Sequence, residues 1–162
     1  RAVSSCLTES EAGPMASDSV RHGETARGAL AWLTTGRTDW IEPSLATDPR
    51  PAVAFNLTII DQFVGTALEP DLSGHVLMLE EVSEAAYRVD RMMFHLTGQD
   101  SIRRVAGIRL GRVSDVTPND PDFGQTPDEI VRYWCLRSGI PFLGSADIGH
   151  DGANKVVPFG PR

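Results

Sequence analysis

Acid–base chemistry in this chain has few candidate side chains, because only four histidines accompany the carboxylates. His150 lies in the loop GSADIGHDGAN, flanked by glycines, where a pliable backbone can aim a side chain into a cleft. Glu80 is the first charge after the apolar run 76–79. Open α/β sheets tend to hold ligand-handling groups just past the carboxyl ends of their strands, so a carboxylate there is well placed for chemistry. A histidine paired with a carboxylate is the working half of a nucleophilic triad. The imidazole takes the nucleophile's proton, and the carboxylate fixes its tautomer and stabilises the imidazolium that forms. On the residues alone a second reading of Glu80 stays open, that of a glutamate which ends a strand and meets water. His22 and His75 sit in polar turn contexts and His95 lies beside Leu96 in a helical pattern, so these three read as structural or solvated.

A metal centre is the competing chemistry, since Glu80, Glu81, Glu84, Asp147, His150 and Asp151 include suitable ligands. No HExxH, CxxC or EF-hand spacing organises them, and no cofactor is expected. There is also no GxSxG elbow and no GxxxxGK[ST] or GxGxxG phosphate loop. The chain therefore offers a base and an orienting acid without an evident nucleophile.

The elements that must position these groups alternate between helix and strand. Four consecutive apolar residues at 76–79, bounded upstream by Ser73 and Gly74, suit a strand covered on both faces. After Glu80, residues 83–96 have helical spacing, with Tyr87, the Met92–Met93 pair and Leu96 at core positions and Gly98 ending the pattern. The methionine pair reads as core rather than as a sulfur-ligand box. Upstream, residues 1–23 show no sustained period and form an irregular segment with a turn at Gly13-Pro14. Residues 24–35 predict a short amphipathic helix through Ala26, Leu30 and Leu33, stopped by Gly36. Pro43, Pro49 and Pro51 make 37–51 a connecting loop or weak edge strand. Asn56 is placed to cap a second helix ended by Gly65, with Leu57, Ile60 and Val64 on one face.

Downstream, 105–110 reads as a buried strand interrupted by Gly107 and Arg109, and 113–124 as a loop rich in Asp, Asn and Pro. Thr126-Pro127-Asp128-Glu129 carries the clearest helix start: Thr as cap, Pro at the first helical position and Glu completing a capping box. That helix ends at Gly139, and residues 140–143 form a short strand that delivers the His150 loop. The sequence holds no internal repeat and no low-complexity segment.

A chain of 162 residues is one ordinary domain, long enough to bury its own core. With 41% hydrophobic and 23% charged residues it falls in the globular class. A net charge of −7 with scattered basic residues argues against nucleic acid as a partner. No run of 18 apolar residues and no basic-then-apolar leader is present, so neither a membrane span nor a signal peptide is expected. Two cysteines, Cys6 and Cys135, fit a reducing compartment better than a disulfide framework.

The segment GHVLMLEEVSEAAYRVDRMMFHL resembles a segment of the LD-carboxypeptidase family, serine peptidases of murein recycling. That segment reads as an apolar strand, Leu-Glu-Asp or Leu-Glu-Glu, then Tyr-Arg-Ile-Asp-Arg-Met. Further blocks follow in the family's order. Gly13-Pro14-Met15 is similar to its Gly-Pro-Met element, and Asn56-Leu57 with Gly65-Thr66 to its Asn-Leu…Leu-Gly-Thr helix. RVAGIRLGRVSD and IPFLGSADIGHDGANKVVPFG are similar to its closing strands and Gly-His loop.

The resemblance implies that residues 24–162 are the C-terminal catalytic domain. Its fold would be a single swivelling-type α/β domain, a small mixed sheet with flanking helices, without the family's N-terminal Rossmann-like domain. Residues 1–23 would be the remnant of the inter-domain connection. Glu80 and His150 match the family's catalytic Glu and His. The nucleophilic Ser and the oxyanion donors belong to the absent N-terminal domain; Ser4 and Ser5 stand too close to Gly13-Pro14-Met15 and lack the flanking Gly and Asp. Ala54-Phe55 before Asn56 departs from the family's frequent Gly-Gly.

The implied parent enzyme releases terminal D-alanine from murein tetrapeptides in the cytoplasm, without metal or cofactor and as a homodimer. Its partners are the murein peptide and the N-terminal nucleophile domain. A microcin-immunity type peptidase of the same fold, and a non-catalytic binding module that has lost the nucleophile domain, are the alternatives.

Overall fold

The computed structural model describes residues 23–159. The expected irregular segment, the Gly13-Pro14-Met15 block and His22 therefore lie outside the described residues. The elements are α1 (Gly23–Thr35), a 3-10 turn (Pro43–Ala46), β1 (Ala52–Asn56), α2 (Leu57–Phe63), β2 (Val76–Val82), α3 (Ala86–Gly98), a 3-10 turn (Ile102–Arg104), β3 (Gly107–Ser114), α4 (Pro127–Ser138) and β4 (Phe142–Ser145).

The strands form one sheet in the order β1-β2-β3-β4, with every neighbouring pair parallel. The α/β class with flanking helices is as expected, but the sheet expected to be mixed is parallel throughout these pairs. Each connection between consecutive strands carries a helix, and such crossovers in one direction place their helices on one face of the sheet. Burial agrees. Val53, Phe55, Leu77, Leu79, Ile108 and Leu110 pack in one core with Leu57 and Ile60 of α2, Val89, Met93 and Leu96 of α3, and Ile130, Val131 and Cys135 of α4. Residues of the opposite parity, Ala52, Ala54, Val76 and Met78, pack instead against Leu45, Ala146, Ile148 and Val157. That second face is covered by irregular chain rather than by the three crossover helices.

Local signals account for most boundaries. Asn56 caps α2 by accepting a hydrogen bond from Ile59 N, and Gly65 adopts the left-handed conformation just beyond its end. The Thr126 capping box is complete, and Gly139 closes α4 in the left-handed region. Helix α3 starts at Ala86 rather than 83, because Ser83 has φ of 63° and cannot continue a right-handed helix. Its core stripe is Ala86, Val89, Met93 and Leu96, so Tyr87, expected in the core, is turned outward, as are Leu30 and Leu33 on α1. Strand β1 was not expected: its four-residue apolar run after Pro51 is half alanine, a weak strand former. Strand β3 runs four residues past Leu110, and β4 lies two residues later than the expected 140–143. No helix among the described residues is long and apolar enough to cross a membrane.

Candidate functional site

Because all four strands are parallel, their carboxyl ends share one edge of the sheet. Asn56 of β1, Glu80 and Glu81 of β2, Arg112 of β3 and the loop after β4 that carries His150 meet there. Alternation along β2 sends Glu81 to the helix-covered face with Leu77 and Leu79, and Glu80 to the other face with Val76 and Met78.

Glu81 is buried and fully engaged. One of its oxygens accepts from Asn56 Nδ2 and from Val82 N, both at 2.8 Å. The other accepts from Thr58 N at 2.8 Å and Thr58 Oγ1 at 2.7 Å. It therefore satisfies an amide in the first turn of α2 and ties that turn to the end of β2.

Glu80 is equally buried, at 2% exposure, yet neither carboxylate oxygen accepts a hydrogen bond. Burial pushes its pKa up to about 7, with the Glu81 and Asp151 charges adding to the rise. Asn56 and the Arg112 guanidinium pull partly the other way. Asn56 Nδ2 donates one of its two hydrogens to Glu81, and the same amide favours the ionised form of Glu80 without making a hydrogen bond of full geometry to it.

The room for Glu80 is made by a bulge in β3. Leu79 pairs with Leu110 and Glu81 with Val113, so the single residue Glu80 faces both Gly111 and Arg112. A side chain at 111 would lie 3.2 Å from Glu80 Cβ and only 2.5 Å from Ile148 Cγ1. Glycine there lets the His150 loop close directly over the Glu80 stem.

The loop is held from several sides. Ala146 N donates to Leu110 O at 2.9 Å and Arg112 N to Ile148 O at 2.8 Å. Asp147 N donates to Glu42 Oε1 at 3.2 Å, and Gly149 N to Asn154 Oδ1 at 3.1 Å. Arg112 Nη1 donates to Asp147 Oδ1 at 2.6 Å, while Nη2 and Nε engage both oxygens of Asp151. Thr25 Oγ1 of α1 donates to Gly152 O.

His150 itself is exposed. Glu80 and His150 thus occupy neighbouring segments across Gly111, but the Glu80 oxygens accept no hydrogen bond from the imidazole in this conformation. The remaining carboxylates considered as ligands are directed elsewhere: Glu81 to its four donors, Asp147 and Asp151 to Arg112, and Glu84 to Arg88 at 3.4 Å. No group of three or more His, Cys, Asp or Glu among the described residues is arranged to hold a metal. Cys135 is buried on the core face of α4, where burial pushes its thiol pKa up to about 12, and is chemically quiet. His95 bonds Asp61 across α3 and α2 at 2.8 Å, in keeping with its structural reading.

Sequence reasoning passed over Arg112. The residue types were visible, an arginine after Gly111 just past the expected strand 105–110 and aspartates three positions before and one after His150, but their pairing was not.

A model of the LD-carboxypeptidase C-terminal domain matches residues 51–162. The chain belongs to the LD-carboxypeptidase family. A Synechocystis protein named as a carboxypeptidase is 34% identical over 110 residues, covering 68% of this chain and 36% of the relative. A Bacillus subtilis protein named as a murein peptide carboxypeptidase is 26% identical over 110 residues, covering 68% and 34% respectively. The chain therefore spans about a third of the length of these two relatives. Among solved structures, the muramoyltetrapeptide carboxypeptidase of Oxalobacter formigenes superposes with a TM-score of 0.73 at 25% identity, over 91% of this chain and 54% of that one. The microcin C7 self-immunity protein MccF shares the fold at a TM-score of 0.57 and 20% identity, over 68% of this chain and 32% of its own.

Proposed function

We propose that this chain is the C-terminal part of a cytoplasmic serine-type LD-carboxypeptidase that releases terminal D-alanine from murein tetrapeptides, and that it supplies the Glu and His of a Ser-Glu-His triad. The observation that carries this reading is Glu80: a carboxylate buried at the carboxyl end of a parallel strand, with no donor on either oxygen, beside the loop that bears a histidine. A buried polar group without a partner costs roughly 1–3 kcal/mol or more for a charge, so its retention points to a partner gained in the working state. An imidazole N–H is a donor of the kind such a carboxylate would take.

In the proposed reaction a serine from the remainder of the enzyme attacks the carbonyl before the terminal D-alanine. His150 accepts the serine proton and passes it to the departing amine. It then takes a proton from water as water attacks the acyl-enzyme, and returns it to the serine. Glu80, ionised once the imidazolium is beside it, holds the ring in the required tautomer. The solved muramoyltetrapeptide carboxypeptidase, matched over more of this chain than MccF, favours the murein substrate.

The test is a D-alanine release assay on a murein tetrapeptide. This 162-residue chain alone is expected to release none. Joined to the missing part of the enzyme it is expected to turn over, with Glu80→Gln or His150→Ala lowering kcat by about 10³–10⁴-fold. Release by the chain alone would overturn the external nucleophile, and turnover indifferent to both substitutions would overturn the assigned roles. Preferential hydrolysis of glutamyl sulfamoyl guanosine, a ligand of an MccF structure, would move the assignment to the microcin-immunity type.

A further inference from the structure

We propose that Arg112 is the positioning residue of this site, fixing the backbone on both sides of His150 against the β3 bulge opposite Glu80. The inference rests on the preceding reading for its catalytic meaning, while its structural content stands on the geometry alone.

The bulge places Arg112 where no regular strand residue would be. With Glu80 opposite both Gly111 and Arg112, the extra residue turns the arginine off the ladder and toward the segment that follows β4. From there it grips that segment on both sides of His150. Its backbone N–H donates to Ile148 O at 2.8 Å, and its guanidinium donates to Asp147 Oδ1 at 2.6 Å and Asp151 Oδ1 at 3.0 Å, with Nε on the other Asp151 oxygen. Gly149 completes the fit, because a Cβ there would lie 2.7 Å from Arg112 Nε and 3.0 Å from Arg112 Cβ. The other bonds of the loop run from Ala146 to β3, from Asp147 N to Glu42, among Asp147, Gly149, Asp151, Asn154 and Lys155 within the loop, and from Thr25 of α1 to Gly152 O. Arg112 is the side chain that ties the residues on both sides of His150 to β3, the strand neighbouring Glu80.

The charge arrangement requires a cation of this shape. Asp147 and Asp151 bring negative charge to the same end of the sheet as the buried Glu80 and Glu81. Like charges at such separations disfavour ionisation of a buried carboxylate. Arg112 offsets both aspartates and draws the Glu80 equilibrium toward the ionised form that an orienting acid needs. A planar fork that engages Asp151 with two nitrogens and Asp147 with a third cannot be reproduced by an ammonium, which is a point charge without fixed geometry. The two contributions, geometry and charge, are therefore separable by substitution.

The experiment compares this chain with its Arg112→Lys and Arg112→Gln variants by NMR, following the His150 imidazole, the amides of 147–152 and the Glu80 side-chain carboxyl across pH. In Arg112→Gln the loop amides are expected to gain fast motion, the imidazole shifts to move toward their values in a short peptide, and Glu80 to titrate at higher pH than in the parent chain. In Arg112→Lys the loop is expected to loosen in the same way while the Glu80 midpoint stays near that of the parent. A folded Arg112→Gln chain with unchanged loop motion, imidazole shifts and Glu80 midpoint would overturn the proposal. Should that variant fail to fold, an Arg112→Lys chain with an undisturbed loop would overturn it instead. In the enzyme completed with its nucleophile, either substitution is expected to lower kcat roughly 10–100-fold with KM little changed, the signature of misplacement at the reacting centre. A parent enzyme inert toward murein tetrapeptides would sink the peptidase reading and leave the NMR outcomes to decide the role of Arg112.

Discussion

At the carboxyl end of β2 two consecutive glutamates leave the sheet on opposite faces, both 2% exposed. Glu81, on the face covered by α2, α3 and α4, accepts four hydrogen bonds that bind the first turn of α2 to the strand. Glu80, on the face covered by irregular chain, accepts none. Identical side chains, one residue apart and equally buried, are thus treated in opposite ways. The helical face uses its carboxylate to satisfy backbone and side-chain donors. The loop face leaves its carboxylate uncompensated, beside a histidine-bearing segment that a bulge and two glycines allow to come close. Both faces bury a core, but only the loop face leaves a carboxylate without a donor.

The largest test of that contrast is Glu81→Gln. The amide keeps one acceptor oxygen but turns an NH₂ group toward two of the four donors. Each buried donor left without a partner costs about 1–3 kcal/mol, so the chain is expected to lose roughly 2–5 kcal/mol of stability at neutral pH, read from urea denaturation. A loss below about 1 kcal/mol would mean that Glu81 is not the structural member of the pair.

Glu80→Gln should behave in the opposite sense and should do so only above acidic pH. The ordinary carboxyl value near 4.5 rises to about 7 in the folded chain. Between those values the native state holds more protons than the unfolded state, so native stability contributed by this group falls as pH rises and levels off above about 7. The full penalty corresponds to about 3 kcal/mol. Relative to the parent chain, the Gln variant is therefore expected to gain about 3 kcal/mol between pH 4.5 and pH 8. Other titrating groups are common to both chains and cancel. A stability difference that stays flat across this range would show that Glu80 already has a partner in solution.

The same contrast explains what was legible in the sequence. Helix starts are decided within a few residues, so the Asn56 cap and the Thr126–Glu129 box could be read directly. Glu80 could be placed near the end of a buried strand because the apolar run before it is continuous, although β2 carries on two residues further, through the buried Glu81 to Val82. Strand β1 could not, since Ala-Val-Ala-Phe following a proline carries little local signal and becomes a strand only by pairing with β2. The all-parallel order is likewise a property of pairing. Arg112 was hidden for the same reason: its direction depends on a register shift between β2 and β3, which no local pattern encodes. Residue types at the site were visible, whereas the number of donors each carboxylate receives was not. Glu80 and Glu81 read as one acidic pair until the faces of the sheet separated them.

The smallest test uses the helical face as a control. Thr126 accepts from Glu129 N at 3.3 Å, while Thr126 N and Oγ1 both donate to Glu129 Oε2 at 2.8 Å. Removing the hydroxyl in Thr126→Ala opens the box at the exposed start of α4 and is expected to cost about 1 kcal/mol. For a chain of this size that corresponds to a fall in Tm of roughly 2–4 °C. Because the box belongs to the helical face, the Glu80 titration midpoint should stay where it is in the parent chain while Tm drops. Movement of the Glu80 midpoint together with Tm would show that the two faces are energetically coupled through α4, and that the uncompensated carboxylate is tuned by the helices as well as by Arg112 and the His150 loop.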